Sequence, residues 1–278
     1  MTIARAFLFA HPAKHSLSPA MHNAALAALG IAATYEARDV APDDLRQALE
    51  GLRTSGAWGT NLSIPHKERA LERLDHVSDD ARAIGAVNTV VVKDAGLHGF
   101  NTDGLGFTRS LEEAGLRSVA GLEVLVLGAG GAARGVAHAL KTAGAIVAIW
   151  NRTDARAVQL AAELELEAVS SATLERKVRA VQLLVNTTAV GLEDAHASPL
   201  PQGVLPGQGW VCDIVYRPLE TKLLRDSRRA GLQTIDGLGM LVHQGALALK
   251  LWLDAQGIAG APDATVMRAA ALERLGRS

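Results

Sequence analysis

Two residues carry groups from which proton transfer could be built: Lys67, in "SIPHKER", and Asp103, in "FNTDG". Pro65 reads as a first helical position, so Lys67 falls in a first helical turn. A cation there opposes the helix dipole, at a cost of roughly a few tenths of a kcal/mol. An amine kept at that cost suits general acid–base work. From position alone, an ordinary exposed lysine beside Glu68 explains it equally well. Asp103 begins its own helix, and N-capping is its plain reading. A carboxylate near Lys67 would instead orient the ammonium and share its proton.

Around this pair the sequence spends neutral hydrogen-bonding groups where apolar residues are expected. In "HSLSPAMHN", Ser16 and Ser18 stand two apart just after the first apolar run. If that segment stays extended, the two hydroxyls share a side, and Pro19 favours an extended Ser18. Such a pair suits a carboxylate, while helix capping stays open for Ser18. Asn61, Asn88 and Asn101 interrupt or end strand-like runs, in which asparagine is depleted. Each alone reads as a satisfied buried amide or a turn former. With Ser63 and Thr102 they form a set at strand ends, where open α/β sheets bind ligands. A polyhydroxylated substrate fits that set.

A second constellation lies in "LEVLVLGAGGAARG". Gly128, Gly130 and Ala133 follow a strand and open a helix in the G-x-G-x-x-G/A pattern. The first glycine allows a tight turn, the second lets backbone approach a pyrophosphate, and the third position must be small. The plain alternative is a tight turn with no ligand. At the end of the next strand an NAD-binding chain usually places an acid. Here stand Asn151, Arg152 and Thr153, with Arg156 one turn on. Two guanidiniums can clamp a 2′-phosphate, so NADP is expected rather than NAD. Asp154 is discordant unless it faces away, and two solvated arginines remain the alternative.

The elements that must position these groups alternate strand and helix along the chain. "RAFLFA", "TYEARDV", "GTNLSI" and "AVNTVVVKDAGLHGFN" read as strands, the last as a hairpin turning at Asp94–Gly96. Helices are expected near Ala20–Leu29, over "PDDLRQALEGLRTSG", over "PHKERALERLD" and over "DGLGFTRSLEEAG". The second half begins with a βαβ unit and adds strands at "LLVNTT", "WVCDIVY" and "LQTID". This alternation implies α/β layers with largely parallel sheets. A boundary falls between Asp103 and Leu122, and the last helices, from about Gly239, return to the first half.

Composition narrows the class. With 278 residues, 49% apolar and a net charge of −1, nothing favours nucleic acid or an anionic membrane as partner. At 4% aromatics, base-stacking surfaces are not expected either. The single cysteine, Cys212, excludes an internal disulfide and a multi-cysteine zinc site, and no metal is expected. The apolar stretch Met240–Leu253 contains His243, Gln244 and Lys250 and is too short to span a bilayer. The chain reads as cytoplasmic, a monomer or homodimer acting on a small molecule.

In the same order along the chain, "HSLSP", "NLSIPHKE", "GAVNT", "NTDG", "GAGGAARG", "NRT" and "DGLGMLVHQ" resemble the motifs of the shikimate/quinate dehydrogenase family. The likeness runs from Phe7 to Trp252. It implies a two-domain α/β protein: a substrate-binding catalytic domain with a mostly parallel sheet, 1–103 plus 239–278, and a Rossmann-like NADP domain, 104–238. It also implies NADPH-dependent reduction of 3-dehydroshikimate. By position, Lys67 and Asp103 would be catalytic. Ser16, Ser18, Ser63, Asn88, Tyr216 and Gln244 would bind substrate with them. Asp79, Gly128, Ala129, Gly130, Gly131, Ala132, Asn151, Arg152, Thr153, Arg156, Ile214 and Gly237 would bind the cofactor. Departures from the family pattern are Ala10 for glycine, Ser63 for threonine and Gly245 for alanine. The serine bears on discrimination between shikimate and quinate. His66 and His243 flank these positions and read as ordinary helix histidines.

Overall fold

The hydroxyls, amides and glycines singled out above sit where strands hand over to helices, and two six-stranded sheets set those handover points. The structure, a computed structural model, describes residues 4–14 and 16–276, so His15 lies outside the described residues. Contacts divide the chain into two units. One draws on the described residues of Met1–Gly106 and Val242–Ser278, the other is Phe107–Leu241. The crossings thus fall inside two helices, three residues beyond Asp103 and Leu238.

The first unit opens with β1 (Ala4–Ala10), α1 (Ser18–Ala28), β2 (Ala33–Asp39), α2 (Leu45–Thr54), β3 (Ala57–Leu62) and α3 (His66–Arg69). Then come β4 (His76–Val77), α4 (Asp79–Ile84), β5 (Thr89–Lys93), β6 (Gly96–Phe100) and α5 (Asp103–Glu113). Sheet order is β2-β1-β3-β5-β6-β4. β1 pairs parallel with β2 and β3, and β4 with β6, whereas β5 runs antiparallel to both its neighbours. The hairpin turns as expected through Asp94 and Ala95, both at positive φ, the two-residue geometry that matches strand twist. Phe7, Phe9, Leu45, Leu49, Leu62 and Val90 form its core.

The helix expected over "PHKERALERLD" is a correction: α3 is a single turn, followed by a 3₁₀ turn at Leu71–Arg73. The Lys67 carbonyl, which would accept the next helical bond, accepts instead from the Val87 amide at 2.8 Å. That bond ends the α-helical ladder and ties Lys67 to the residue before Asn88.

The second unit carries β7 (Glu123–Leu127), α6 (Gly131–Thr142), β8 (Ile146–Trp150), α7 (Asp154–Leu164), β9 (Glu167–Ala168) and α8 (Leu174–Ala180). It continues through β10 (Leu183–Asn186), β11 (Trp210–Asp213), α9 (Lys222–Arg229) and β12 (Gln233–Ile235). All its strand pairs are parallel, in the order β12-β11-β10-β7-β8-β9. This is the doubly wound arrangement, with its reversal between β7 and β10, where such sheets bind nucleotides. Its strands face two apolar clusters, one around Val124, Val126 and Val136, the other around Leu125, Leu127 and Leu184.

Two helices close the chain, α10 (Leu238–Ala255) and α11 (Ala264–Gly276). From Val242 onward they belong to the first unit. There Trp252 Nε1 donates to the Val90 carbonyl at 2.9 Å, and α11 packs on α1. Among the described residues, no helix is long and apolar enough to cross a membrane.

Candidate active site

Lys67 and Asp103 meet. The Lys67 ammonium donates to Asp103 Oδ2 at 2.6 Å, with only 15% and 3% of the two side chains exposed. Asp103 is the first residue of α5, but it does not cap that helix. Asn101 takes the turn, its Oδ1 accepting from the Asp103 amide at 3.0 Å. The carboxylate is thereby left to Lys67 on one oxygen and to Asn88 on the other, Asn88 Nδ2 donating to Oδ1 at 2.8 Å.

The orientation of the Asn88 amide is set by its neighbours. Its Oδ1 accepts from the Thr102 amide at 2.8 Å and from the Thr89 hydroxyl at 2.9 Å. Its Nδ2 is therefore the end that faces Asp103, the Thr102 hydroxyl and Gln244 Oε1, the last at 3.3 Å. Asn61 supports it from behind. Tyr35 donates to Asn61 Oδ1 at 2.8 Å, and Asn61 Nδ2 donates to Thr89 Oγ1 and to the Asn88 carbonyl. His22 stacks on Tyr35 with ring centroids 4.0 Å apart. Burial pushes its imidazole down to about 4, so it is a neutral packing group at physiological pH. Asn61 and Asn101 thus follow their plain readings, and Asn88 is the asparagine of the cluster.

Tyr35 and Thr89 were not foreseen. A threonine inside the apolar run "VNTVVV" was the available signal, because a buried hydroxyl needs a partner. His66 is buried, with Nε2 against the Val40 carbonyl at 2.9 Å, and burial lowers its pKa.

The serine pair needs a correction. Leu17 has helical angles and Ser18 is already in α1, so the segment is not extended there. Burying Leu17 and Met21 draws the chain into the helix, and Pro19 is tolerated in a first turn. The Ser16 hydroxyl accepts from the Ser18 amide at 3.2 Å, so Ser16 supports the helix start, while Ser18 makes no cap bond. Ser63, half-buried between β3 and α3, makes no side-chain hydrogen bond to described residues, and its amide donates to the Phe9 carbonyl.

In the second unit the glycine turn is built as its spacing requires. Gly128 has φ +118°, and a Cβ there would stand 2.6 Å from Thr187 Oγ1. Gly130 is the N-cap of α6 with no side-chain partner, and a Cβ on it would meet nothing within 4 Å. Ala133 is fully buried. Gly131 and Ala132 open the helix, whose first amides have no intrahelical acceptor, the local condition for a phosphate. Asn151 bonds the Thr153 carbonyl, while Arg152 and Arg156 are exposed. Asp154 accepts from the Ser171 hydroxyl at 2.9 Å through Oδ1.

Ile214 and Gly237 are brought together, since a Cβ on Gly237 would lie 2.1 Å from the Ile214 carbonyl oxygen. Tyr216 is half-buried two residues beyond Ile214. The segment is anchored by Asp213, whose Oδ1 accepts from the Val215 amide and Asn186 and whose Oδ2 accepts from Thr221. Asp79 begins α4 in the first unit and is exposed.

A doubly wound sheet with an open glycine turn, and a buried lysine–aspartate pair among neutral amides in the other unit, define the class of dinucleotide-dependent α/β dehydrogenases. Family models agree. The shikimate dehydrogenase substrate-binding domain matches residues 8–90, shikimate/quinate 5-dehydrogenase matches 110–193, and the shikimate 5′-dehydrogenase C-terminal domain matches 237–257. Shikimate dehydrogenase (NADP⁺) of Thermus thermophilus is 50% identical over 96% of this chain and 97% of its own. That of Symbiobacterium thermophilum is 48% identical over 96% of this chain and 93% of its own. A crystal structure of shikimate 5-dehydrogenase from Thermus thermophilus in complex with NADP(H) and shikimate superposes with a TM-score of 0.89. It is 47% identical and covers 98% of this chain and 99% of that one. The chain belongs to the shikimate dehydrogenase family.

Proposed function

We propose that this chain is an NADP-dependent shikimate dehydrogenase, reversibly reducing 3-dehydroshikimate to shikimate in the cytoplasm, on the route to chorismate and the aromatic amino acids. The observation that carries the reading is the buried Lys67–Asp103 pair, set among neutral hydrogen-bonding groups in a chain of this family. Most of the substrate groups come from the first unit and most of the cofactor groups from the second, Tyr216 and Asp79 being the exceptions. Gly128 to Ala132 line the pyrophosphate. Asn151, Arg152, Thr153 and Arg156 hold the 2′-phosphate side, with Ile214, Gly237 and Asp79 as further cofactor ligands. Bound cofactor would supply the hydride chemistry, NADPH giving a hydride to the substrate carbonyl and NADP⁺ taking one up in the reverse direction.

The protein's own residues manage the proton. Lys67 donates from Nζ to the oxygen that becomes alkoxide-like as the carbonyl is reduced, and takes that proton back when the hydroxyl is oxidised. Asp103 holds Nζ at 2.6 Å and accepts from a substrate hydroxyl. Asn88 keeps the carboxylate in place through its 2.8 Å bond. Asn88 and Gln244 present amides to the remaining hydroxyls, Ser16, Ser18 and Ser63 present hydroxyls to the carboxylate end, and Tyr216 is a further substrate ligand.

The deciding experiment follows NADP⁺ reduction with shikimate by absorbance; no turnover above background would sink the reading. The same assay with quinate and with NAD⁺ settles the second reading, a quinate/shikimate dehydrogenase. That reading is favoured by Ser63, whose hydroxyl is uncommitted among the described residues and whose side chain lacks the methyl that would restrict its rotamer. Arg152→Ala is expected to raise the NADPH KM by about tenfold, the loss of one charge-assisted contact, and to leave the shikimate KM unchanged. An unchanged NADPH KM would count against the phosphate clamp.

A further inference from the structure

Thr102 and Gly106 stand one turn apart at the start of α5, and both meet the same residue of α10. The Thr102 hydroxyl accepts from Asn88 Nδ2 at 2.9 Å and donates to the Gln244 backbone carbonyl at 3.0 Å. A hydroxyl has one proton to give. Its approach to Asn88 Oδ1, at 3.2 Å, uses the same proton and is the longer of the two. Asn88 Oδ1 is in any case served by the Thr102 amide and the Thr89 hydroxyl. The proton therefore goes to Gln244.

At Gly106, whose amide donates to the Thr102 carbonyl, a Cβ would stand 2.6 Å from Gln244 N and 2.7 Å from Gln244 Cβ. The missing side chain is what lets α10 come this close. Thr102 holds Gln244 by its carbonyl, and Gly106 sets how near it lies. The Gln244 side chain then reaches Asn88 Nδ2, the same nitrogen that holds Asp103.

We infer that Thr102 and Gly106 are positioning residues that together seat Gln244 beside Asn88 and the Lys67–Asp103 pair, and so set its reach to substrate hydroxyls. This rests on the proposed function, in which Gln244 and Asn88 bind substrate. Neither seat residue needs to touch substrate. Losing the Thr102 hydroxyl leaves Lys67 and Asp103 bonded to each other and Asp103 bonded to Asn88, so the effect falls on substrate binding and spares the proton step.

The test compares Thr102→Val, Thr102→Ser, Gly106→Ala and Gln244→Ala, with Thr102→Val also placed in the Gln244→Ala background. Thr102→Val is expected to raise the shikimate KM about tenfold, with kcat within about twofold and the NADP⁺ KM unchanged. Thr102→Ser restores the KM, because the hydroxyl alone is needed. Thr102→Val adds little once Gln244 is already alanine, because the backbone carbonyl that Thr102 holds then carries no amide side chain to position. Should the valine variant fail to fold, Gly106→Ala reads the same KM-against-kcat split. The seat is overturned if Thr102→Val and Gly106→Ala match wild type, if serine fails to rescue, or if the double-variant effects add. A wild-type enzyme inert toward shikimate overturns the functional reading itself, a result visible in the first control.

Discussion

Replacing Lys67 with alanine lowers kcat by ~10²–10⁴ and leaves the shikimate KM close to wild type. The size follows from what is removed. Nζ is the charged end of a pair that is nearly shut off from solvent, bonded at 2.6 Å to a carboxylate that is itself 3% exposed. Water entering the alanine site has neither the charge nor the orientation to deliver a proton as the hydride moves. Substrate affinity is expected to survive, because the groups assigned to hold it lie on separate elements: Ser18 on α1, Ser63 after β3, Gln244 on α10. The fold is expected to survive as well, since Asp103 keeps its bond to Asn88 at 2.8 Å. Steady-state kinetics with shikimate and NADP⁺ check both halves, and added small primary amines should restore part of kcat. A variant within about tenfold of wild-type kcat would remove Lys67 from the proton transfer.

How much of this was legible depended on whether the signal was local. The glycine turn needed only Gly128, Gly130 and Ala133 in a row after a strand, and the structure builds it that way. The hairpin at Asp94 and Ala95 was equally local. Lys67 and Asp103 could be picked by type, but nothing in their own segments says that they meet. They meet because Val87 N takes the Lys67 carbonyl and Asn101 takes over the turn at Asp103. Both are contacts between segments that local pattern does not show. The serines were misread because a local rule, the extended preference before Pro19, lost to the burial of Leu17 and Met21. Tyr35, whose hydroxyl orients Asn61, lies on a strand whose outer residues are mostly exposed, so its own segment carried no hint of a role. The two-residue strands β4 and β9 are too short for any alternation to show.

Asp213 carries the second large effect, on stability rather than rate. Burial pushes its carboxyl up from 3.8 to about 6, although Thr221, Val215 and Asn186 all donate to it and pull the other way. Desolvation wins because the residue is wholly inside, at the end of β11 opposite Asn186 of β10. The sign then follows by linkage. Between pH 3.8 and 6 the folded protein holds a proton on this group that the unfolded chain has released. The stability this proton contributes is full below 3.8 and is lost as pH rises through about 6. The loss is on the order of 3 kcal/mol. Asp213→Asn separates this group from every other acid. Its amide oxygen can still accept from Val215 and Asn186, and its nitrogen can donate to Thr221 once that hydroxyl reverses. Relative to wild type, the variant should therefore gain about 3 kcal/mol between roughly pH 4 and pH 7, measured by denaturant unfolding at each pH. A difference between the two proteins that stays flat with pH would mean that the three donors fully offset burial, leaving the anchor of the Ile214–Tyr216 segment an ordinary carboxylate.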